Sequence, residues 1–115
     1  MAALRECHAV CLSTAMVHCL ERGGEQARPQ HLRLMLDCAA AASFAADALG
    51  RKSQFHNGIA ALTADISEVC ARDCIALGGM EACVDACEKS ALLCRKVARL
   101  DHAEIWGMAA RLPPS

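Results

Sequence analysis

The sequence predicts an all-α protein, an up-down-up-down four-helix bundle, and two observations support this. Alanine supplies 24 of the 115 residues, whereas Ile and Val together supply nine and Tyr is absent. Helices favour Ala and Leu, while strands favour β-branched and aromatic residues. Glycine and proline also divide the chain into four segments of similar length, in which apolar or small residues recur at steps of three and four. Four such helices joined by short turns pack as an antiparallel bundle.

The helix boundaries follow from the turn-forming residues. Pro29 suits the first turn of a helix, where its missing N–H costs nothing. The third helix opens at Ser53 or Gly58. The expected helices span about residues 3–22, 29–49, 53–77 and 80–100, followed by a tail over residues 102–115. A short helix is expected in that tail around Trp106. The length suits one core, so we expect a single domain over residues 1–115.

Composition and charge narrow the classes of partner. The formal net charge is −1, without a dominant basic patch, which argues against nucleic acid. The chain does not open with the charged and then apolar pattern of a signal peptide. The longest aliphatic stretch, around residues 38–46, is too short to span a membrane. We therefore expect a complete, soluble, cytosolic protein with no membrane contact.

Nine cysteines are the unusual feature of the composition. Thiols stay reduced in the cytosol, and an odd number cannot pair completely within one chain. The sequence contains no Cys-x-x-Cys, which removes the thioredoxin, zinc-ribbon and common iron–sulfur motifs. Cys-x-x-x-Cys instead occurs three times, as Cys7/Cys11, Cys70/Cys74 and Cys83/Cys87.

The predicted inward faces carry small and soft residues where an ordinary bundle has Leu, Ile and Val. In the first two helices these positions are Leu4, Cys7, Cys11, Thr14, His18, and His31, Met35, Cys38, Ala42, Ala45, Leu49. In the last two they are Ala60, Thr63, Ser67, Cys70, Cys74, Leu77, and Met80, Cys83, Cys87, Ser90, Cys94, Val97. Each missing CH₂ removes about 0.8 kcal/mol of burial. Such a core loses stability unless something fills or crosslinks it.

The cysteine spacing predicts a site for a soft metal ion. Residues four apart on a helix share a face, so two thiolates at that spacing can hold one ion between them. Soft sulfur ligands select Cu(I), zinc or iron–sulfur clusters. Cu(I) accepts two sulfurs in a near-linear arrangement, whereas zinc requires four ligands. The sequence therefore favours Cu(I) over zinc.

Alternating helix directions stack the thiols in a column of two clusters. The upper cluster comprises Cys19, Cys70, Cys74, Cys83 and Cys87, and the lower one Cys7, Cys11, Cys38 and Cys94. Cys19 lies one step off the inward face of its helix. His31 and Met80 fall at the upper mouth with His18 just below, where imidazole and thioether could pass ions inward. The predicted metal ligands are therefore all nine cysteines, together with His18, His31 and Met80.

Four stretches carry a family resemblance, which covers about residues 5–97: Cys7-His-Ala-Val-Cys11, His31-Leu-Arg-Leu-Met-Leu-Asp-Cys38, Cys70-Ala-Arg-Asp-Cys74 and Cys83-Val-Asp-Ala-Cys87. The chain resembles the cysteine-rich four-helix copper storage proteins. The resemblance implies a Cu(I)-binding bundle, supplied by copper ions or a copper donor, that assembles as a homo-oligomer, a dimer or tetramer. Other residues stand where a full member tends to have Cys: Thr14, His31, Ala42, Ala60, Thr63, Ser67, Met80 and Ser90. A smaller capacity is therefore expected, and a transfer or sensing role stays open beside sequestration.

Several alternatives stay open. Buried cysteines can be simple small hydrophobes, as in a bundle that has lost copper storage. Disulfides Cys70–Cys87 and Cys74–Cys83 would make a stapled helical hairpin of the kind found in small interaction proteins. The same four cysteines could instead hold one zinc ion.

Catalysis has little support in the sequence. We expect the inward-facing cysteines to be interior and to share no single His–acid partner arrangement, and there is no glycine-rich phosphate loop or His-Glu-x-x-His helix. The remaining candidates have ordinary structural interpretations: His8 and His102 on the surface, His56 near the second turn, and Met35 as core packing.

Overall fold

Four helical rods, arranged in a square, make up the part of the chain that the structure, a computed structural model, describes: residues 2–101. The first rod comprises α1 (Ala2–Ser13), a π-helical segment (Thr14–Cys19) and α2 (Leu20–Arg22). The other three are α3 (Pro29–Gly50), α4 (His56–Leu77) and α5 (Glu81–Ala98). The first rod and α4 each pack against both α3 and α5. The all-α four-helix bundle that the sequence predicts is confirmed. The expected tail and the helix around Trp106 lie outside the described residues.

Proline and glycine mark the helix ends. Pro29 is the first residue of α3, as the sequence suggests. Gly78, with φ of 75°, ends α4, and its N–H donates to the Cys74 carbonyl. A positive φ suits glycine because it has no Cβ. α4 begins at His56, between the two expected starts. A 3₁₀ turn (Gly24–Ala27) joins the first rod to α3.

The first rod departs from the expected inward face. Thr14 and His18 were expected to point inward, but both are only half-buried, whereas Ala15 and Cys19 are completely buried. The π segment explains the difference. Its i→i+5 hydrogen bonds fit extra residues into each turn, which delays the helical phase. Inward positions after Cys11 therefore recur every four residues and bring Cys19 into the core.

The core divides into two halves along the bundle. The sulfur half lies toward the turns at residues 23–28 and 78–80 and contains Cys7, Cys11, Cys19, Met35, Cys38, Cys70, Cys74, Met80, Cys83 and Cys87. The alanine half, toward the opposite turn, contains Leu4, Ala42, Ala45, Ala46, Ala60, Ala64 and Val97. Cys94 lies at the border between them. Large aliphatic side chains such as Leu62 and Leu92 are instead exposed. No helix within residues 2–101 combines the length and apolarity needed to cross a membrane.

Candidate metal centre

Two overlapping groups of four thiols occupy the sulfur half. The first comprises Cys7, Cys11, Cys38 and Cys87, and the second Cys11, Cys70, Cys83 and Cys87. Within each group all Sγ atoms lie within 4.8 Å of one another, and every member is completely buried. All four rods contribute. Because Cys11 and Cys87 belong to both groups, the thiols form one continuous set rather than two separate clusters.

The i,i+4 pairs build this set from local geometry. Within the pairs, Sγ–Sγ distances are 3.8 Å for Cys7/Cys11 and 3.9 Å for Cys83/Cys87. Cys11 lies 3.5 Å from both Cys83 and Cys87. Sulfurs bound about 2.3 Å from one ion would lie about 3.8 Å apart in a tetrahedron and about 4.6 Å apart across a linear ion. The observed spacing therefore suits a shared soft ion.

All nine cysteines are free thiols. Cys74 and Cys83 lie 3.9 Å apart at Sγ, far beyond the bonded distance of about 2.05 Å. The disulfide-stapled hairpin is therefore not the arrangement in this structure.

Cys19 lies at the mouth of the sulfur half with a histidine and a methionine. Its Sγ is 3.4 Å from His31 Nε2 and 3.5 Å from Met80 Sδ. His31 Nδ1 lies 2.5 Å from a carboxylate oxygen of Asp73. When Nδ1–H donates to that carboxylate, the Nε2 lone pair faces the sulfurs, as in metal sites where an outer carboxylate fixes the tautomer of a ligating histidine.

Asp73 was missed by the sequence analysis. A His–acid pair lies beside Cys19, which the sequence placed off the inward face, because α3 supplies His31 and α4 supplies Asp73 to the same end of the bundle. The available signal was the position of Asp73, directly before Cys74 on a cysteine-bearing helix.

Met35 also has contacts that the sequence did not predict. Its Sδ lies 3.4 Å from Cys74 Sγ, 3.5 Å from Cys70 Sγ and 3.8 Å from Cys83 Sγ. The sequence placed Met35 on the inward face of its helix, three residues before Cys38, but interpreted it as packing.

Two predicted ligands, His18 and Cys94, form no hydrogen bond to another predicted ligand within residues 2–101. His18 Nε2 is buried and has no hydrogen-bond partner within residues 2–101. Cys94 is completely buried one helical turn after Ser90 on α5. Two hydroxyls adjoin the thiol set on this side: Ser90 Oγ is 3.2 Å from Ser67 Oγ, which is 3.8 Å from Cys38 Sγ.

The remaining histidines have structural contacts. His8 is half-buried, and its Nδ1 lies 2.8 Å from the Ala39 carbonyl oxygen. His56 is buried at the start of α4, where its Nε2 lies 2.6 Å from the Leu100 carbonyl oxygen. His102 lies outside the described residues.

Hydrogen bonding and burial split the thiol pKa values. The pKa values of Cys11, Cys74 and Cys87 are raised, first by hydrogen bonds to neighbouring cysteines and then by burial. The pKa values of Cys38 and Cys83 are lowered, chiefly by the hydrogen bond from Cys11 to each. Both sulfurs also lie within donor distance of a further acceptor, Cys38 of Ser67 Oγ and Cys83 of Met35 Sδ.

For Cys19 and Cys94, burial is the largest cause of the pKa shift. It raises the pKa of Cys19, and it raises the pKa of Cys94 to about 11. Thiols with raised pKa values remain protonated at neutral pH, so a metal ion that binds them has to displace their protons.

Comparisons with known proteins agree with this geometry. A family model described as copper storage protein matches residues 1–103. Among solved structures, the crystal structure of the Nmul_A1745 protein from Nitrosospira multiformis superposes with a TM-score of 0.84 at 39% sequence identity. The match covers 87% of this chain and 92% of that one. A search of curated proteins finds no match.

Proposed function

The chain belongs to the copper storage protein family, and on that premise we propose that it binds and sequesters several Cu(I) ions inside its bundle. The ligands are the nine cysteine thiolates, with His18, His31 and Met80 assisting toward the mouth. The observation that carries the proposal is the continuous thiol set: two buried four-sulfur groups, each with its Sγ atoms within 4.8 Å, that share Cys11 and Cys87.

The chemistry of this set favours Cu(I) over zinc. Thiolates are soft ligands that Cu(I) accepts in twos and threes, so adjacent ions can share sulfurs along the set. A tetrahedral zinc ion would use one complete four-thiol group, and the sharing of Cys11 and Cys87 would leave the second group incomplete. Burial keeps water from the bound ions.

A surface cleft at the mouth offers an ion a route into the core. A cleft of about 320 Å³ on the α4–α5 side reaches Cys74 and Met80. Glu81, Asp85 and Glu88 also line this cleft, and their negative charge favours a cation there. We propose that a copper donor delivers Cu(I) to this end, where Met80, Cys19 and His31 receive it.

Sequestration or buffering in the cytosol, rather than catalysis, is the role that this site supports. Cys19 and His31 are 0% and 4% exposed, which leaves no room for a substrate beside the Cys–His–Asp arrangement. This chain has fewer thiols than a copper storage protein with Cys at every position where the family tends to have it, which limits the number of copper ions it can hold. Copper transfer and copper sensing are the alternative roles. Assembly as a homo-oligomer, a dimer or tetramer, is part of the proposal.

Anaerobic Cu(I) titration against a chromophoric chelator, run beside a free-thiol assay, tests the proposal. We expect nine reactive thiols in the denatured apoprotein and several Cu(I) ions withheld from the chelator. A parallel zinc titration should withhold fewer ions. Retention of all copper by the chelator would contradict the proposal.

A matched pair of variants locates the binding. Cys74→Ala with Cys83→Ala should lower the copper stoichiometry while circular dichroism shows nearly unchanged helicity, because Ala suits helix interiors. Cys94→Ala, outside both four-thiol groups, is the control and should lower the stoichiometry least. Loss of the fold in the double variant would favour a structural role for these thiols.

A further inference from the structure

A methionine thioether lies among the thiols at the upper end of the sulfur half. Met35 Sδ is surrounded by Cys70, Cys74 and Cys83, with Sδ–Sγ distances of 3.4 to 3.8 Å. Met35 is 0% exposed. Its neighbours come from α4 and α5, so three helices converge on one sulfur atom.

The orientation of Met35 sets it apart from ordinary packing. A methionine that only fills space can present its methyl or methylene groups to its neighbours. Here the sulfur faces three thiols, each within donor distance of a weak acceptor. The arrangement supplies four sulfurs around one point.

We propose that Met35 is a Cu(I) ligand and that, with Cys70 and Cys74, it forms a mixed thioether–thiolate site that shares Cys70 with the second four-thiol group. This inference rests on the proposed copper-binding function and adds a ligand to it. Cys83, 3.8 Å from Met35 and 3.5 Å from Cys11, connects this site to the rest of the thiol set.

Charge explains why a thioether is useful at this position. Cu⁺ that binds two thiols releases two protons and leaves a bis-thiolate complex with one negative charge. A third thiolate would add another negative charge in a core where, within residues 2–101, no Lys or Arg side chain is buried. Buried unpaired charge is costly. A neutral thioether completes the coordination without adding charge.

The position of Met35 gives the site a role in ion passage. Met35 lies one helical turn beyond His31 on α3, and His31 contacts Cys19 at the mouth. An ion that moves inward from the mouth would meet Met35, Cys70 and Cys74 before the first four-thiol group, which contains Cys7 and Cys38. A less anionic site holds Cu⁺ less tightly than a full thiolate set, which suits an intermediate position.

Selenium absorption spectroscopy tests the ligand directly. The parent is the selenomethionine-labelled Met80→Leu variant, loaded anaerobically with Cu(I), which removes the other sulfur-facing methionine in the described residues. We expect a copper neighbour in its selenium-edge spectrum. That signal should be lost in Met80→Leu/Met35→Leu and kept in Met80→Leu/Met16→Leu, because Met16 is 40% exposed.

Copper affinity supplies a second readout. Leu matches Met closely in volume, so Met35→Leu should fold. Loss of this ligand should weaken the affinity for one Cu(I) ion by at least about tenfold. That factor is the lower end of the loss seen when a group that only supports a metal ligand is removed. Met35→Cys should retain the wild-type stoichiometry.

The outcomes separate this inference from the proposed function. A parent that binds copper without a selenium–copper signal, or with one that survives Met35→Leu, overturns the role of Met35 and leaves thiolate binding intact. A wild-type protein that binds no Cu(I) overturns both.

Discussion

The sulfur half and the alanine half of the core share the same four rods but differ in what they bury. In the sulfur half, neighbouring side chains meet through sulfur atoms 3.4 to 3.9 Å apart. In the alanine half, Ala42, Ala46 and Ala64 are 0% exposed, and their small size lets the helices approach closely. His56 and Asn57 close that end through the Leu100 carbonyl oxygen, at 2.6 and 2.8 Å.

The two halves give the bundle two kinds of packing. The alanine half packs by direct helix contact, with Leu4 and Val97 as its larger side chains. Free thiols in the sulfur half are small hydrophobes that pack adequately while protonated. A closely packed frame and a compartment lined with thiols are therefore separated along the bundle.

Copper loading should give the largest effect. Free Cu(I) at a thousand times its Kd stabilises a protein by about 4 kcal/mol. Each kcal/mol of stabilisation raises the thermal unfolding midpoint of a domain near this size by about 4 °C, so copper loading should raise the midpoint by about 15 °C. Anaerobic thermal melts followed by circular dichroism measure the shift. In Cys11→Ala/Cys87→Ala, which removes both shared thiols, most of it should disappear.

Cys94→Ala is the control for these melts and should keep most of the copper-induced shift. A full shift in the Cys11→Ala/Cys87→Ala protein would mean that copper binds outside the four-thiol groups.

Acidification should weaken copper binding by the next largest amount. Cys11, Cys74 and Cys87 have raised pKa values, so each carries a proton that Cu(I) has to displace. The apparent affinity should therefore rise with pH, by about tenfold per pH unit for each proton released. Chelator competition between pH 6 and 8, corrected for the chelator's own protonation, measures the slope. A flat profile would argue against protonated thiols as ligands.

Adding thiols at the border between the two halves should increase the number of Cu(I) ions that the protein binds. Ser67 and Ser90 are completely buried, and their Oγ atoms lie 3.2 Å apart beside Cys38. Ser67→Cys/Ser90→Cys would extend the thiol set toward Cys94. Because two neighbouring thiolates can hold one soft ion, we expect about one additional Cu(I) ion in the anaerobic titration.

The paired control for this gain is Ala45→Cys, which places a single thiol in the alanine half. It should add no ion that the chelator cannot remove. An equal gain in both proteins would show that any buried thiol suffices and would remove the distinction between the halves.

The fold and the cysteine pairing were predictable because both follow from local periodicity. Cys83/Cys87 share a helix face wherever α5 lies, and Pro29 suits a helix start in any bundle. Contacts between helices were harder to predict. The joining of Cys11 to both α5 thiols depends on the tilt and rotation of two rods, which the spacing along one helix does not fix.

Two misses have separate physical causes. The inward phase of Cys19 depends on the π segment, whose extra residue per turn no i,i+3/i+4 pattern can anticipate. The contact between Asp73 and His31 depends on the approach of α4 to α3 and on a side chain at the edge of the inward face. Met35 was correctly placed on its helix face, but the direction of its sulfur is a matter of rotamer.

The smallest effect concerns Cys94, the one cysteine at the border. Burial raises its pKa to about 11 from 9.0. The folded state therefore keeps a proton that the unfolded state loses, so its contribution to stability is complete below pH 9 and fades as the pH rises toward 11. At pH 10 the loss is about 1.4 kcal/mol. Urea unfolding of the reduced apoprotein at pH 8 and pH 10 should show this extra fall in the wild type and lack it in Cys94→Ala. An identical pH dependence in both proteins would mean that the Cys94 thiol ionises as readily in the bundle as in the unfolded chain, which would place water at the border between the two halves.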